Sequence, residues 1–433
     1  MPLTCDGLTV SSIEFASRDP SLTSLPSQLQ GVARVVGLIH TTTDPGVLRH
    51  FLHLEVGEPC TELRRAESER TLRVQPYLAD VTVRAVPDGS GGVRIEVETI
   101  DEIPTILRAR FRGIEPRSLR FGHSNIAGEA ISLAASAARG YGYRTGFGLS
   151  GIAYAAFGRP YTLALEGQRE PLGSKLMFSL GHPFITDLQR TAWHMGYEEV
   201  HAYLSFVPPA GDDVSLGVRR RFWDIGGVHR VALGRWSAFA GGLFTHEAVI
   251  PADRAVIVSD SGLVTDTSAA LSAPVPRYSN RRLNAVFGIR RLTYTPVRGF
   301  DALDGVQDMA TGVQLATLFG WGIPRPENRD GDLFVSGDLY AGLGATTSFA
   351  TLHVQAEGRN DHTTNRWDSM VGSGRLTWYL KPSAGHLLIA SLAGGGAWRE
   401  AIPFQLRLGD GEGGVRGYGG SRAAGGARAV GRL

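Results

Sequence analysis

Few side chains in this 433-residue sequence have the types and spacing that chemistry requires. Gly146, Gly148 and Gly151 satisfy G-x-G-x-x-G, a spacing that can bring a pyrophosphate to a helix N-terminus. They lie in a Tyr- and Ala-rich, strand-like run with no helix pattern after it, so dinucleotide binding is not expected. No G-x-S-x-G is present. The twelve histidines form no H-E-x-x-H and no Cys/His set with metal spacing; His50 and His53 share a short helix without a third ligand. Glu198 and Glu199 read as carboxylates facing water or a lumen, not as an acid/base pair. The sequence thus predicts a protein that is not an enzyme, with no catalytic, cofactor-binding or metal residues and no cofactor.

One arginine stands out by its setting. Residues 413–420 read GGVRGYGG. A guanidinium stays charged, so Arg416 must be paired wherever water is scarce, and its fork can pin a loop to a carboxylate. Gly417 lets the backbone pass close to its neighbours, and Tyr418 supplies packing with a polar end. The plain alternative is a Gly-rich surface loop with an incidental Arg. Val297-Arg298-Gly299-Phe300 repeats the four letters of Val415–Tyr418 without glycine pairs around them, and reads as coincidence.

The elements around these residues fall into two textures. Up to about residue 102 the order is β-α-α-β-β. Leu8–Phe15 reads as a strand. Asp44-Pro45 reads as an N-cap with Pro at the first helical position, followed by the stripe Val47, Leu48, Phe51, Leu52. Thr61 to about Gln75 reads as a second helix. Val81–Val86, the turn Asp88–Gly92 and Arg94–Glu98 read as a hairpin. This is a small α+β domain whose second strand either offers an open edge or binds nothing. Cys5 and Cys60 both fall here; they could pair or be free thiols.

From 103 to 433 short alternating runs recur between Gly, Pro, Asn and Asp. Leu176, Phe178 and Leu180 oppose Lys175, Met177 and Ser179. Leu333, Val335, Leu339, Ala341 and Leu343 oppose Ser336, Asp338 and Tyr340. Leu352, Val354 and Ala356 oppose His353, Gln355, Glu357 and Arg359. Such runs suit a barrel with a wet lumen or a soluble sandwich with one wet face, and periodicity alone does not separate the two. Trp223, Trp321, Trp378, Tyr379 and Trp398 near run ends suit interfacial girdles. The charge balance, 44 basic against 42 acidic, calls for no nucleic acid. No apolar run is long enough for a membrane helix.

The Val415-Arg416-Gly417-Tyr418 core resembles the V-R-G-[FY] signature of the BamA/TamA superfamily. Asn125–Glu129 and Phe178–Phe184 resemble two further stretches of that barrel. Leu54–Gly57, Arg70–Arg73 and Tyr77–Val81 resemble the polypeptide-transport-associated (POTRA) domain. The resemblance implies a mainly β protein: a POTRA-like periplasmic domain over 1–102, then a transmembrane antiparallel β-barrel over 103–433, in an outer membrane of the Gram-negative type. It implies an assembly or translocation factor that takes client outer-membrane or secreted polypeptides by β-augmentation. The client edge would be Asp80, Val81, Thr82, Val83, Arg84, Ala85 and Val86. Partners would be those clients, outer-membrane lipid and accessory lipoproteins, with no nucleic acid. Val415, Arg416, Gly417 and Tyr418 would anchor their loop in the barrel lumen. In the family several strands follow the motif, so a partial barrel, incomplete at the C-terminus, is expected here, with the arginine's acidic partner missing. Twelve to fifteen strands precede the octet by our count, against eleven in the family. Met1–Thr4 lacks a basic and apolar leader, so a leader is expected upstream. The alternatives are an outer-membrane pore or surface adhesin on the same scaffold and, more remotely, a soluble carbohydrate-binding β protein.

Overall fold

The computed structural model describes residues 5–18, 41–112, 114–141, 144–208, 211–259, 261–267, 275–301, 306–324, 331–361, 365–383, 385–400, 402–409, 413–415, 417–418 and 421–433. The N-terminal part holds β1 (Asp6–Arg18), α1 (Pro45–Arg49), β2 (Pro59–Thr61), α2 (Glu62–Arg73), β3 (Leu78–Pro87) and β4 (Val93–Asp101). Its sheet runs β2-β1-β4-β3, with β1 parallel to β4. Local chemistry sets the helix starts: the Asp44 carboxylate accepts from Gly46 N at 2.6 Å, and Thr61 Oγ1 accepts from Arg64 N at 3.3 Å. Short β2 falls between the two expected helices and is not foreseen. It pairs with β1, where Cys5 is bonded to Cys60. Leu48, Leu54, Leu72, Val83, Ile95 and Val97 form the core.

The remaining chain is one antiparallel meander. Its strands are β5 (Thr105–Arg112), β6 (Glu115–His123), β7 (Ile131–Tyr141), β8 (Arg144–Ala156), β9 (Tyr161–Arg169), β10 (Ser174–His182), β11 (Thr191–Phe206), β12 (Val214–Leu233), β13 (Trp236–Pro251), β14 (Val256–Val258), β15 (Leu263–Thr265) and β16 (Tyr278–Arg298). Then come β17 (Val306–Gly322), β18 (Asp332–Ala345), β19 (Ser348–Asp361), β20 (Arg366–Ser383), β21 (His386–Trp398), β22 (Leu406–Arg407), β23 (Ala424–Gly425) and β24 (Ala427–Arg432). All but β22 and β23 lie in a closed barrel in which β24 neighbours β5. Because β13 pairs directly with β16, the three-residue β14 and β15 belong to a loop, which leaves sixteen staves.

This corrects the expectation of a partial barrel. The ring closes within residues 105–432, and β24 is its one stave after the octet. The upper end of the strand count was right, since fifteen staves precede the octet. What failed was the family pattern of several later strands.

The faces separate as the alternation predicts. Leu149, Leu165, Leu176 and Leu352 stand on the outside, where Leu149 is 69% and Leu165 52% exposed. Lys175 reaches Glu166 at 3.0 Å across the lumen face, and His353 reaches Asp338 at 2.8 Å. A sandwich would bury the apolar face, whereas a closed ring turns it outward to lipid. Trp223, Trp321, Trp378 and Trp398 are on that outer face. Tyr379 is not: its hydroxyl donates to Asp301 at 3.0 Å and its ring meets Phe300, tying down a turn at the rim nearest the N-terminal domain.

Candidate client-binding site and lumen

The expected client edge, Asp80–Val86, lies on β3, the sheet's edge strand. It is not bare. Val83 N donates to Glu69 Oε2 at 3.1 Å, and Arg65 Nη1 donates to Val83 O at 2.6 Å, so two side chains of α2 stand in for a neighbouring strand at this residue. Val81 N is taken by Asp80 Oδ1 at 2.9 Å. Val81, Val83 and Ala85 are buried, and the exposed Arg84 lies near Glu98. An added strand must therefore displace Arg65 and Glu69.

The same helix seals one end of the barrel. Arg73 Nη1 meets Asp308 at 2.7 Å, Arg70 donates to Ile185 O at 2.8 Å, and the Arg70 guanidinium lies 4.5 Å from the Tyr294 ring. Glu67 binds Arg70 at 2.7 Å and accepts from Thr186. Burial pushes the Glu67 carboxyl up, but those two partners outweigh it and hold it below the usual range. Across the ring, Asn125 Nδ2 donates to Thr43 Oγ1 at 2.8 Å, and Asp44 N donates to Gly128 O at 3.0 Å. The β6–β7 and β16–β17 turns are eight staves apart in a ring of sixteen, hence diametrically opposite, so the N-terminal domain straddles the mouth. Arg298, in the repeated V-R-G-F, joins the lock through Asp80 at 3.5 Å.

The octet loop enters the lumen from the other end. Phe404, Leu406 and Gly413 share a cavity of about 630 Å³ with the inner-wall residues His353, Gln355, Ser373 and Arg375. Val415 N donates to Leu408 O at 2.8 Å, Gly417 has φ +85°, and Tyr418 is half exposed. Arg416, the expected anchor, lies outside the described residues. Other residues tie the loop down. Gln405 accepts from Val207 N at 2.7 Å and donates to Val207 O at 3.2 Å; Arg407 and Arg422 both pair with Asp213; Arg432 donates to Gly414 O at 2.8 Å.

Acids do line the inner wall, and the most buried of them bind wall arginines. Glu247 binds Arg220 at 2.9 Å and Arg359 at 2.8 Å, and Asp332 binds Arg282 Nε at 3.0 Å. Arg282 and Glu247 are almost fully buried, so removing one partner strands the other's charge. The Arg219–Arg221 run, which on a strand must turn at least one arginine inward, was the signal in the sequence for a charged inner wall.

The lumen wall also aligns Ser179 Oγ, His194 Nε2 and Asp224, at 3.0 Å from serine to imidazole and 2.6 Å from Nδ1 to the carboxylate. That is the order of a nucleophile, a base and its orienting acid. No motif in the sequence announced it, because the three residues sit on three strands. All three strands are internal to the barrel, so their backbone amides are committed to ladders and supply no oxyanion hole.

No family model matches this sequence, and neither does any curated protein. Solved structures do align with it. BamA from Haemophilus ducreyi lacking POTRA domains 1-3 is 9% identical, with TM-score 0.39, over 90% of this chain and 72% of that one. CdiB from Acinetobacter baumannii is 9% identical, with TM-score 0.42, over 95% of this chain and 65% of that one. CdiB from Escherichia coli is 12% identical, with TM-score 0.44, over 90% and 80%. The chain is similar to BamA and CdiB. At these scores the likeness decides neither family nor activity, and the barrel stands on its own ladders.

Proposed function

We propose that the protein is an outer-membrane assembly or translocation factor of the BamA/TamA type, with the N-terminal domain as its periplasmic POTRA module. It takes client polypeptides as added strands and inserts or exports them, without enzymatic activity or cofactor. One observation carries the reading. The ring closes onto β5 through β24, which has six residues and is the shortest of the sixteen staves. So short a stave makes few ladder bonds, and each backbone group left unpaired in lipid costs several kcal/mol, so such a seam favours a strand that extends it. The β3 edge, covered at Val83 by Arg65 and Glu69, is the candidate first station. The lumen is occupied from both ends, which suits an open diffusion pore poorly.

The test is reconstitution of the full chain in lipid vesicles with an unfolded outer-membrane barrel as client. Faster client folding than in empty vesicles, read by protease protection, is expected. Unchanged client folding with raised vesicle conductance would establish the pore reading instead.

A further inference from the structure

β12 carries three consecutive arginines, and a strand cannot point them one way. Arg220 turns inward to Glu247 at 2.9 Å. Arg219 and Arg221 turn outward and share a single carboxylate: their Nε atoms lie 3.4 and 3.0 Å from the two oxygens of Glu199, which also accepts from the Tyr197 hydroxyl at 2.8 Å. Their side chains are 49% and 44% exposed. Two strands away, exposed Arg281 lies on the same outer face, in the row that holds Trp223 and His246. The other carboxylates of β11, β12, β13 and β16 are Glu198, Asp224 and Glu247, all on the lumen face. Glu199 is therefore the only outward acid among the described residues of these strands, against three outward arginines near the rim away from the N-terminal domain.

The level of this patch is set by what lies beneath it. Along β16 the outward residues after Arg281 are Leu283, Ala285, Phe287 and Ile289, and then Arg291 over the Trp236 ring. Ten residues at ~3.3 Å each, tilted by ~40°, span roughly 25 Å, the height of a barrel's apolar band. Arg281 and Arg291 bracket that band. An arginine facing lipid at mid-depth costs about 2–4 kcal/mol and almost nothing at the headgroups. Arg219, Arg221 and Arg281 thus sit at headgroup level with excess positive charge, above apolar Trp223, Ile225 and Leu283.

We propose that Arg219 and Arg221, flanked by Arg281, bind the phosphoryl headgroup of a membrane lipid in the leaflet away from the N-terminal domain, its acyl chains lying over Trp223 and Ile225. Guanidinium forks match phosphoryl oxygens in geometry and charge. The inference rests on the membrane-spanning reading of the barrel. Native mass spectrometry of the detergent-folded full chain tests it, with diphosphorylated lipid A, its dephosphorylated form and inorganic pyrophosphate as probes. Folding of each variant is checked by heat-dependent gel mobility. Wild type should retain the phosphorylated lipid about tenfold better than R219Q/R221Q, a difference of ~1.4 kcal/mol, while R291Q at the opposite rim retains it like wild type. Equal retention by wild type and R219Q/R221Q, or equal retention of the dephosphorylated lipid, overturns the proposal. Displacement by micromolar pyrophosphate assigns the site to free phosphate and overturns the lipid source. A wild-type chain that folds monomeric in water without detergent sinks the barrel reading as well; a barrel that folds but does not discriminate sinks this proposal alone.

Discussion

At Gly128 the backbone adopts φ +77°, and a Cβ there would stand 2.3 Å from Thr42 O. Neither the left-handed conformation nor the clash with backbone can relax cheaply. Gly128→Ala should loosen the docked domain by about 1–3 kcal/mol. Limited proteolysis should then cut near residues 41–44 while the barrel's heat-shifted band persists; unchanged resistance would contradict the docking. Ser179 offers a second residue-scale check. With no backbone oxyanion donors around it, it should not be labelled by a fluorophosphonate in the folded chain, and stoichiometric labelling would show that its alignment with His194 and Asp224 is catalytic after all. Alternation gave the faces of the three runs in which it was read, in β10, β18 and β19, but Tyr379, expected in the outer girdle, turned inward. The sequence did not show which lumen charges meet, because Arg220, Glu247, Arg282, Asp332 and Arg359 come from five strands and their pairing depends on closure.

At the scale of elements, α2 has three tasks: it covers the N-terminal core, caps the β3 edge and locks the barrel mouth. His53 packs beside it, with its ring 3.2 Å from Thr71 Oγ1, and burial pushes its pKa below the ordinary 6.5. The folded state then binds a proton less readily than the unfolded chain. Stability is unaffected above pH 6.5, falls as the pH drops through 6.5, and levels off below the lowered folded value. His53→Gln should flatten that part of the domain's stability profile between about pH 7 and 5, around the ordinary titration range of histidine, measured by urea denaturation; an unaltered slope would show that other groups dominate. The Cys5–Cys60 bond closes a 55-residue separation, and its reduction should cost the domain about 2–4 kcal/mol. The β-α-α-β-β order was legible from caps and apolar stripes. The disulfide was one of two open readings, and β2 was hidden in a run of turn residues. The capping of β3 by Arg65 and Glu69 was not legible, because edge exposure is a tertiary property.

At the scale of the molecule, a sixteen-stave ring with an oily exterior is plugged by one domain at one end and by a tied loop at the other. The alternating runs and the turn spacing carried an antiparallel β array with one wet face; the choice of a barrel came from the resemblance, and its closure was not legible. The resemblance at residues 413–420 led to an expectation of missing strands, whereas the chain places fifteen staves before that loop and one after it. Strand number depends on pairing across the ring, which local pattern does not encode. Closing the ring through a six-residue last strand is the feature on which the transport reading depends.

The decisive measurement is amide hydrogen exchange of the full chain inserted in lipid vesicles, resolved to the strand. The ladders from β10 to β20 should be strongly protected, while β24 and the facing part of β5 exchange fast and slow down when a client strand is added. Protection at β24 and β5 as strong as at their neighbours, unchanged by client, would contradict a seam that receives other chains.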